Sequence, residues 1–520
     1  MKKRSIYVLL LVAVLSVNMS CQQATKREET VVIPTKAQVG ATMLPDTIAP
    51  VKAPFPMPEF KKPSFPELVV DITTKGAIQE KLSTTAIQSA IDEVSLQGGG
   101  MVVVPAGKWL TGRISLKSNV NLHISEGAEL HFSGNVADYL PVVFTRNEGI
   151  EVMSLGALIY AFEQDNIAVT GRGTLFGPPR DCEILQKVME SGVIENVVSH
   201  TTPVAERIYD GQAGVGEVFL PMFISPTSCT RVYIEGVTLR QTPFWNIVPV
   251  YCDTVIIRGI TVHSVGIPRG DGIDIESTRN VLIEYSTLSC GDDCFTMKAG
   301  RAEDGIRVNK PTENVVIRYC LAEEGHGAIT CGSETAGMIR NLYVHDCVFD
   351  GTGSGLRFKT RRNRGGGGEN LIYERIRMDL SGSAFRWDML GSHVHVGELA
   401  SRLPLRELTP LTPSYRDIIV KDVIVENAKQ FINVQAIPET PLTNVLLENI
   451  EVIHTHTLIK MHDVDGFTLR NAVVNSPEDK TVSILDGRHI YFENVDFMMP
   501  ADSLQVLVEG ELSSDIIIQK

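Results

Sequence analysis

From residue 232 onward the apolar positions fall into a repeat of short β-branched segments. They are Val232-Tyr-Ile-Glu-Gly-Val, Val255-Ile-Ile-Arg-Gly-Ile, Val281-Leu-Ile-Glu-Tyr-Ser, Val315-Val-Ile-Arg-Tyr-Cys and Leu342-Tyr-Val-His-Asp-Cys, followed by segments starting at Leu371, Ile418, Val445, Phe467 and Ile490. Most starts lie 22 to 34 residues apart, and several are opened by Asn. One such segment cannot bury its apolar face alone, whereas stacking in register buries a continuous core. The pattern predicts an all-β fold, a single-stranded right-handed parallel β-helix. A leucine-rich repeat would need a Leu consensus that is absent, and a four-stranded propeller blade needs a longer period.

One helix precedes the repeat. Ile87, Ala90, Ile91 and Val94 fall at i, i+3, i+4 and i+7, with Ser83 or Thr84 as N-cap and Gly98-Gly99-Gly100 as terminator. It reads as a short capping helix. The interval from Leu371 to Ile418 is too long for one coil and contains Ser381 to Tyr415, read as a large loop or irregular coil. Residues 182–218 form a second insertion. Insertions in a solenoid project from a face and shape the binding site.

The N-terminal part has a different pattern. Lys2, Lys3 and Arg4 precede an apolar run from Ile6 to Val17, short for a membrane span, that ends at Ser20-Cys21. Residues 1–21 read as an export signal, of the lipoprotein type with Cys21 lipidated or of the ordinary secretory type. Asn18 stands where a lipoprotein signal usually has an aliphatic residue. Residues 22–66 turn proline-rich, with Pro45, Pro50, Pro54, Pro56, Pro58, Pro63 and Pro66. Such density favours extended, unpacked chain, so the segment is expected to be a tether and residues 67–520 the β-helix domain. The expected location is outside the cytoplasm, on the periplasmic or outer side of a membrane.

Charge narrows the partners. The formal net charge is −14 with no basic run, which disfavours nucleic acid. A polyanionic substrate then requires a local basic site. Eight cysteines beyond Cys21 show neither CxxC nor His/Cys metal spacing, so structural burial with one or two disulfides is the expectation. A monomer is favoured.

The phase of the polar residues carries the chemistry. Asp271 lies 16 residues after Val255; Asp292 and Asp293 lie 11 and 12 after Val281; His326 lies 11 after Val315; Arg357 and Lys359 lie 15 and 17 after Leu342. On coils about 4.8 Å apart these residues line one face. Glycosidic hydrolysis needs one carboxylic acid for the leaving oxygen and a second carboxylate for water or carbon. Adjacent carboxylates also raise at least one pKa by like-charge repulsion. A lone Asp in such a turn more often serves the backbone. Six ionisable residues in phase on successive coils are harder to assign to turns.

The segments Asp271-Gly-Ile-Asp274, Gly291-Asp-Asp-Cys294, Gly325-His-Gly327 and Arg357-Phe-Lys359 resemble the four signature segments of glycoside hydrolase family 28, the polygalacturonase family. Gly98-Gly-Gly-Met-Val-Val-Val-Pro105, Thr242-Pro-Phe-Trp245 and Ile437-Pro-Glu-Thr-Pro441 extend the resemblance along the chain. It implies Asp292 as general acid, and Asp271 with Asp293 as the carboxylates that position and deprotonate water, with inversion. It implies His326 beside the acid, and Arg357 with Lys359 on a substrate carboxylate. It implies no metal and no cofactor. The family usually has Asn-Thr before the first Asp, where this chain has Arg269-Gly270; Arg269 either contacts an anionic sugar or braces Asp271. Lys298 and Arg361, Arg362 and Arg364 are candidates for the basic site, the last three otherwise forming a solvated loop. Trp245, Trp387 and Phe244 are candidates for sugar stacking.

The reading is an exo-acting galacturonidase or exo-polygalacturonase on pectin, exo action resting on the two insertions. A rhamnogalacturonan hydrolase of the same family is the alternative. A Ca²⁺-dependent pectate lyase and a non-catalytic glycan-binding lipoprotein are the readings from other classes.

Overall fold

The structure is a computed structural model describing residues 31–188, 194–212 and 217–519. Cys21 and the expected export signal lie outside the described residues. Residues 33–520 form one compact unit.

That unit is a parallel β-helix, and every repeat start read from the sequence occupies one register. Val232 pairs with Val255, Val255 with Val281, Val281 with Val315, and Val315 with Leu342. The row continues through Leu371, Ile418, Val445, Phe467 and Ile490 to Ile516. These side chains stack into one core that runs the length of the solenoid. The Asn residues that open several segments have a specific role. Asn280, Asn314, Asn341 and Asn370 adopt left-handed φ between 53° and 58°, a conformation Asn tolerates. Their side-chain amides then form a ladder: Asn314 donates to Asn280 at 3.1 Å, Asn341 to Asn314 at 2.9 Å, and Asn370 to Asn341 at 2.7 Å.

The helix α1 (Thr84–Leu96) forms where the spacing predicts it. Its buried face is Ala86, Ile87, Ala90, Ile91 and Val94, and Ser83 is its N-cap residue. It caps the first coils.

Two expectations need correction. Residues 33–66 do not hang free as a tether but lie along the solenoid. Phe55 and Phe60 are buried over a row of outward-facing residues that includes Tyr233, Ile256, Leu282, Val316 and Tyr343. Proline fixes an extended backbone, and the exposed carbonyls of that backbone find buried arginines. Arg258 donates to the carbonyl of Pro45 and Arg318 to that of Ala49, each at 2.7 Å. The expected disulfides are absent as well. All eight described cysteines are free thiols, seven of them buried, serving as small apolar residues of a large core.

The interval from Leu371 to Ile418 is a single coil, since those two residues pair directly. The loop expected over 381–415 opens with a regular strand, Ser383–Asp388, so the loop proper spans only 389–413. Residues 182–218 contain only short helical turns and bridges among the described residues. A third excursion was not anticipated: strands β1 (Val143–Asn147) and β2 (Ile150–Ser154) form an antiparallel hairpin with Glu148 at its tip. Its amphipathic pattern is indistinguishable from that of two solenoid strands.

Candidate active site

Strands β3 (Ile273–Glu276), β4 (Phe295–Lys298), β5 (Ile329–Cys331), β6 (Ser354–Lys359) and β7 (Ser383–Asp388) stack in order as one parallel sheet. Ile273, Phe295, Ile329, Leu356 and Phe385 share a register and fill the core. Strand alternation therefore turns the intervening row of Asp274, Thr296, Thr330 and Arg357 to the opposite face. Asp271, Asp292, Asp293 and His326 sit in the turns leading into β3, β4 and β5. The ladder continues through these turns: the Gly272 amide donates to the Asp293 carbonyl at 2.9 Å and the His326 amide to the Asp292 carbonyl at 2.9 Å. Gly327 leaves the room they need, because a Cβ there would stand 2.8 Å from Asp293 Oδ1.

The predicted cluster is assembled. One carboxylate oxygen from each of Asp271, Asp292 and Asp293 lies within 4.8 Å of the others. The three carboxylates differ in their surroundings. Asp293 is fully buried and accepts from Arg357 at 2.8 Å on Oδ1 and from Lys359 at 2.6 Å on Oδ2. Burial pushes its carboxyl up, but Lys359 and Arg357 together hold it well below the usual carboxylate range. Asp271 is buried without such a partner. Burial, reinforced by the charges of Asp274 and Asp292, pushes it well above that range against the pull of Lys298. Asp292 faces the cavity and pairs with His326 Nδ1 at 3.0 Å. Burial raises its pKa, but the His326 hydrogen bond and the charges of Lys359 and His326 together outweigh this, leaving Asp292 lowered; the same hydrogen bond leaves His326 raised. Of the three carboxyls, Asp271 therefore has the highest affinity for a proton.

Lys298 holds the floor. Its ammonium is buried between Glu334 at 3.3 Å, Asp274 at 3.5 Å and Asp271 at 3.6 Å, and it lies 4.2 Å from the centre of the Trp245 ring. Burial raises Glu334, but Lys298 and Arg301 carry it down to about 2. Asp274 goes the other way: burial outweighs Lys298 and lifts it to about 7.

Several expected contacts take another form. Arg357 and Lys359, assigned to a substrate carboxylate, are engaged with Asp293. Arg269 pairs with Glu148 at 3.1 Å and lies over the Phe244 ring, so it braces the hairpin rather than Asp271. Trp387 is fully buried and stacked on Phe358, which removes it from sugar stacking. Phe244 is buried too, and Trp245 stacks on it with Lys298 also against its ring. Arg362 is no solvated residue: it is buried, binds Glu439 at 3.0 Å and donates to carbonyls of the 397–406 stretch. Arg361 and Arg364 do reach the cavity.

The cavity above the cluster has a volume of about 710 Å³ and is lined by residues far apart in sequence. Glu148 comes from the hairpin tip, Val188 from the 182–218 insertion and His395 from the 389–413 loop. Beside them Arg301 binds Glu148 at 2.8 Å and Glu195 at 2.5 Å, and Arg364 binds Glu195 at 2.9 Å. Glu148, Glu195 and Arg301 escape a reading by phase because two of them sit on excursions from the coil. Glu334 was findable: it lies 19 residues after Val315, near the offset of 17 shared by Lys298 and Lys359. The three aspartates are also close enough together to ligate a cation. A cation there would have to displace an ammonium and a guanidinium from Asp293.

A cluster of three carboxylates with diverging proton affinities, set in a cation-lined cleft of a parallel β-helix, is the equipment of a glycoside hydrolase. Residues 209–383, which hold all four signature segments, match the family model "Glycosyl hydrolases family 28". A probable polygalacturonase of Vitis vinifera is 28% identical over 72% of this chain and 71% of its own length. An exo-poly-alpha-D-galacturonosidase of Dickeya chrysanthemi is 25% identical over 60% of this chain and 55% of its own length. Among solved structures, an exopolygalacturonase from Thermotoga maritima superposes with a TM-score of 0.68 and 29% identity, covering 79% of this chain and 91% of the other.

Proposed function

We propose that the protein hydrolyses α-glycosidic bonds of galacturonate in pectin and works from a chain end. The observation that carries the reading is the division of labour among the three aspartates. Their charge states belong to the cluster rather than to single residues. A sugar bound over Asp292 desolvates it and competes for its His326 hydrogen bond, so the proton of the cluster moves from Asp271 to Asp292. Asp292 then protonates the glycosidic oxygen as the C–O bond breaks. A water held by Asp271 and Asp293 attacks the anomeric carbon, and its proton returns to Asp271. The proton count of the cluster is restored at the end of the cycle.

The spacing of the carboxylates is shorter than the roughly 6.5–9.5 Å common in inverting enzymes. Inversion is argued instead from the lack of an available nucleophile: both oxygens of Asp293 are held by cations, and Asp271 is buried beside Lys298, placed to take a proton from water rather than to reach the anomeric carbon itself. Water is the remaining attacker. The exo mode is supported by the three excursions that contribute Glu148, Val188 and His395 to the cavity wall, and by relatives whose names state exo action. Anchoring through Cys21 belongs to the same proposal, with a pectic polymer outside the cell as the substrate; a Cys21→Ala protein would then be released in soluble form.

The discriminating experiment sets viscosity against reducing ends on homogalacturonan, with branched pectic oligosaccharides in parallel. Monomer release with little loss of viscosity supports the reading. A rapid fall in viscosity would make the enzyme endo-acting, and turnover confined to the branched substrates would move it to the rhamnogalacturonan branch.

A further inference from the structure

We infer that Arg361 is the carboxylate-binding group of the cavity, the role that sequence resemblance gives to Arg357 and Lys359. The inference rests on the proposed action on uronates and names the residue that recognises the charged group.

The cations of the cavity differ in whom they already bind. Arg357 and Lys359 both donate to Asp293. Lys298 is surrounded by three carboxylates. Arg301 is bound to Glu148 and Glu195, Arg364 to Glu195, and Arg269 to Glu148. Each of these charges is already neutralised by a side chain at hydrogen-bond or close ion-pair distance. An incoming carboxylate gains little from them, because it must first displace an equal charge that pays no translational entropy to stay.

Arg361 differs. Among the described residues its guanidinium donates, through one nitrogen, only to the backbone carbonyls of Thr360 and Asp388. The Asp388 carboxylate stands 3.7 Å away, beyond hydrogen-bond reach, and it accepts from the Gly391 amide at 3.0 Å. The Arg361 side chain is only 12% exposed, yet it lines the same cavity as Asp271 and Asp292. A nearly buried guanidinium without a hydrogen-bonded counter-ion is costly unless a ligand completes it. Burial accordingly lowers its affinity for its proton, with Asp388 only partly restoring it.

Its position is built. The two carbonyls fix Nη1, and the missing side chain of Gly391 leaves the room that Nε occupies: a Cβ there would stand 2.1 Å from it. The remaining N–H groups form a planar fork that matches a carboxylate with two parallel hydrogen bonds. The ligand is a uronate carboxylate, held beside the Asp271/Asp292 pair. A neutral hexose or a methyl-esterified uronate leaves the fork unpaired.

The test compares free-acid oligogalacturonides with their methyl esters for wild type, Arg361→Gln and Arg361→Lys. Arg361→Gln lowers kcat/KM on the free acid roughly 10- to 100-fold, mainly through KM, while the ester rate stays level and the acid preference collapses. Arg361→Lys recovers part of that preference. Galacturonate binding by calorimetry to the Asp292→Asn protein, with and without Arg361→Gln, gives a readout independent of turnover. Binding that depends on Arg361, together with a wild-type protein that shows no hydrolytic activity, would reject the proposed reaction and keep the subsite. An unchanged acid-to-ester ratio, or equal binding with and without Arg361, overturns the inference.

Discussion

At the scale of single residues, the account turns on neighbours that give like side chains unlike charge states. Two cations hold Asp293 well below the usual carboxylate range, while burial pushes Asp271, in the same cluster, well above it. Replacing Asp271, Asp292 or Asp293 by Asn removes acid/base function without changing shape, and each should lower kcat roughly a hundred- to ten-thousand-fold with the circular dichroism spectrum unchanged. The buried carboxylates also predict a pH dependence of stability. Asp274 and Glu276, each lifted to about 7 chiefly by burial, hold protons in the folded state that they lose in the unfolded chain above their ordinary range. The folded state binds more protons across that window, so stability falls as pH rises from about 4 to about 7. Thermal melts should show this decline, and Asp274→Asn should flatten it by removing one titrating group. A steeper slope in the variant would contradict the assignment. At this scale the sequence was most legible for the in-phase aspartates, His326, Arg357 and Lys359, since a solenoid converts sequence offset into spatial alignment. It was least legible for whom each cation binds. Offset places Arg357 beside the cluster but cannot say that Asp293 takes both it and Lys359.

At the scale of elements, the repeat was readable to the residue because a single outward or inward slip would reverse every side chain of a strand. All ten predicted starts therefore share one register. The N-terminal strap was misjudged because proline density reports an extended backbone and not its surroundings. Phe55 and Phe60 held the missing signal: an unpacked tether has no use for two large apolar side chains spaced to reach a sheet. Phe60→Ala should cost about 3 kcal/mol, measured by denaturant unfolding. Deleting residues 33–66 should expose the row from Tyr233 to Tyr343 and raise binding of an apolar dye. An unchanged melting curve would mean the strap adds nothing to the fold. The 389–413 loop is tied down by Arg362, which binds Glu439 from β-helix residues further on. Arg362→Ala should make that loop the first site of proteolytic cleavage.

For the whole molecule, a rod built from stacked coils supplies one long face, and excursions from the coil decide how much of it is used. The hairpin tip at Glu148, the 182–218 insertion and the 389–413 loop meet over the aspartates although nothing in their sequences shares a period. That convergence is the part of the site a repeat analysis cannot see, because only the fold brings the three together. It also resolves the charge paradox: a chain of net charge −14 offers a polyanion a cleft whose wall is rich in Arg and Lys, most of them already paired internally. Ionic strength should accordingly affect turnover less than the number of cavity cations suggests, since the paired ones are screened from the start. A steep loss of kcat/KM with salt would show that several of them engage substrate directly.

The central claim is that water, activated by Asp271 and Asp293 and assisted by the acid Asp292, cleaves galacturonate linkages. Proton NMR of the first product from homogalacturonan tests it most directly, run on wild type and Asp292→Asn side by side. The account predicts that wild type releases saturated galacturonate first in the β configuration, and that the variant releases almost none. Product that appears first as the α anomer, carries an unsaturated ring, or forms at an undiminished rate in Asp292→Asn would contradict it.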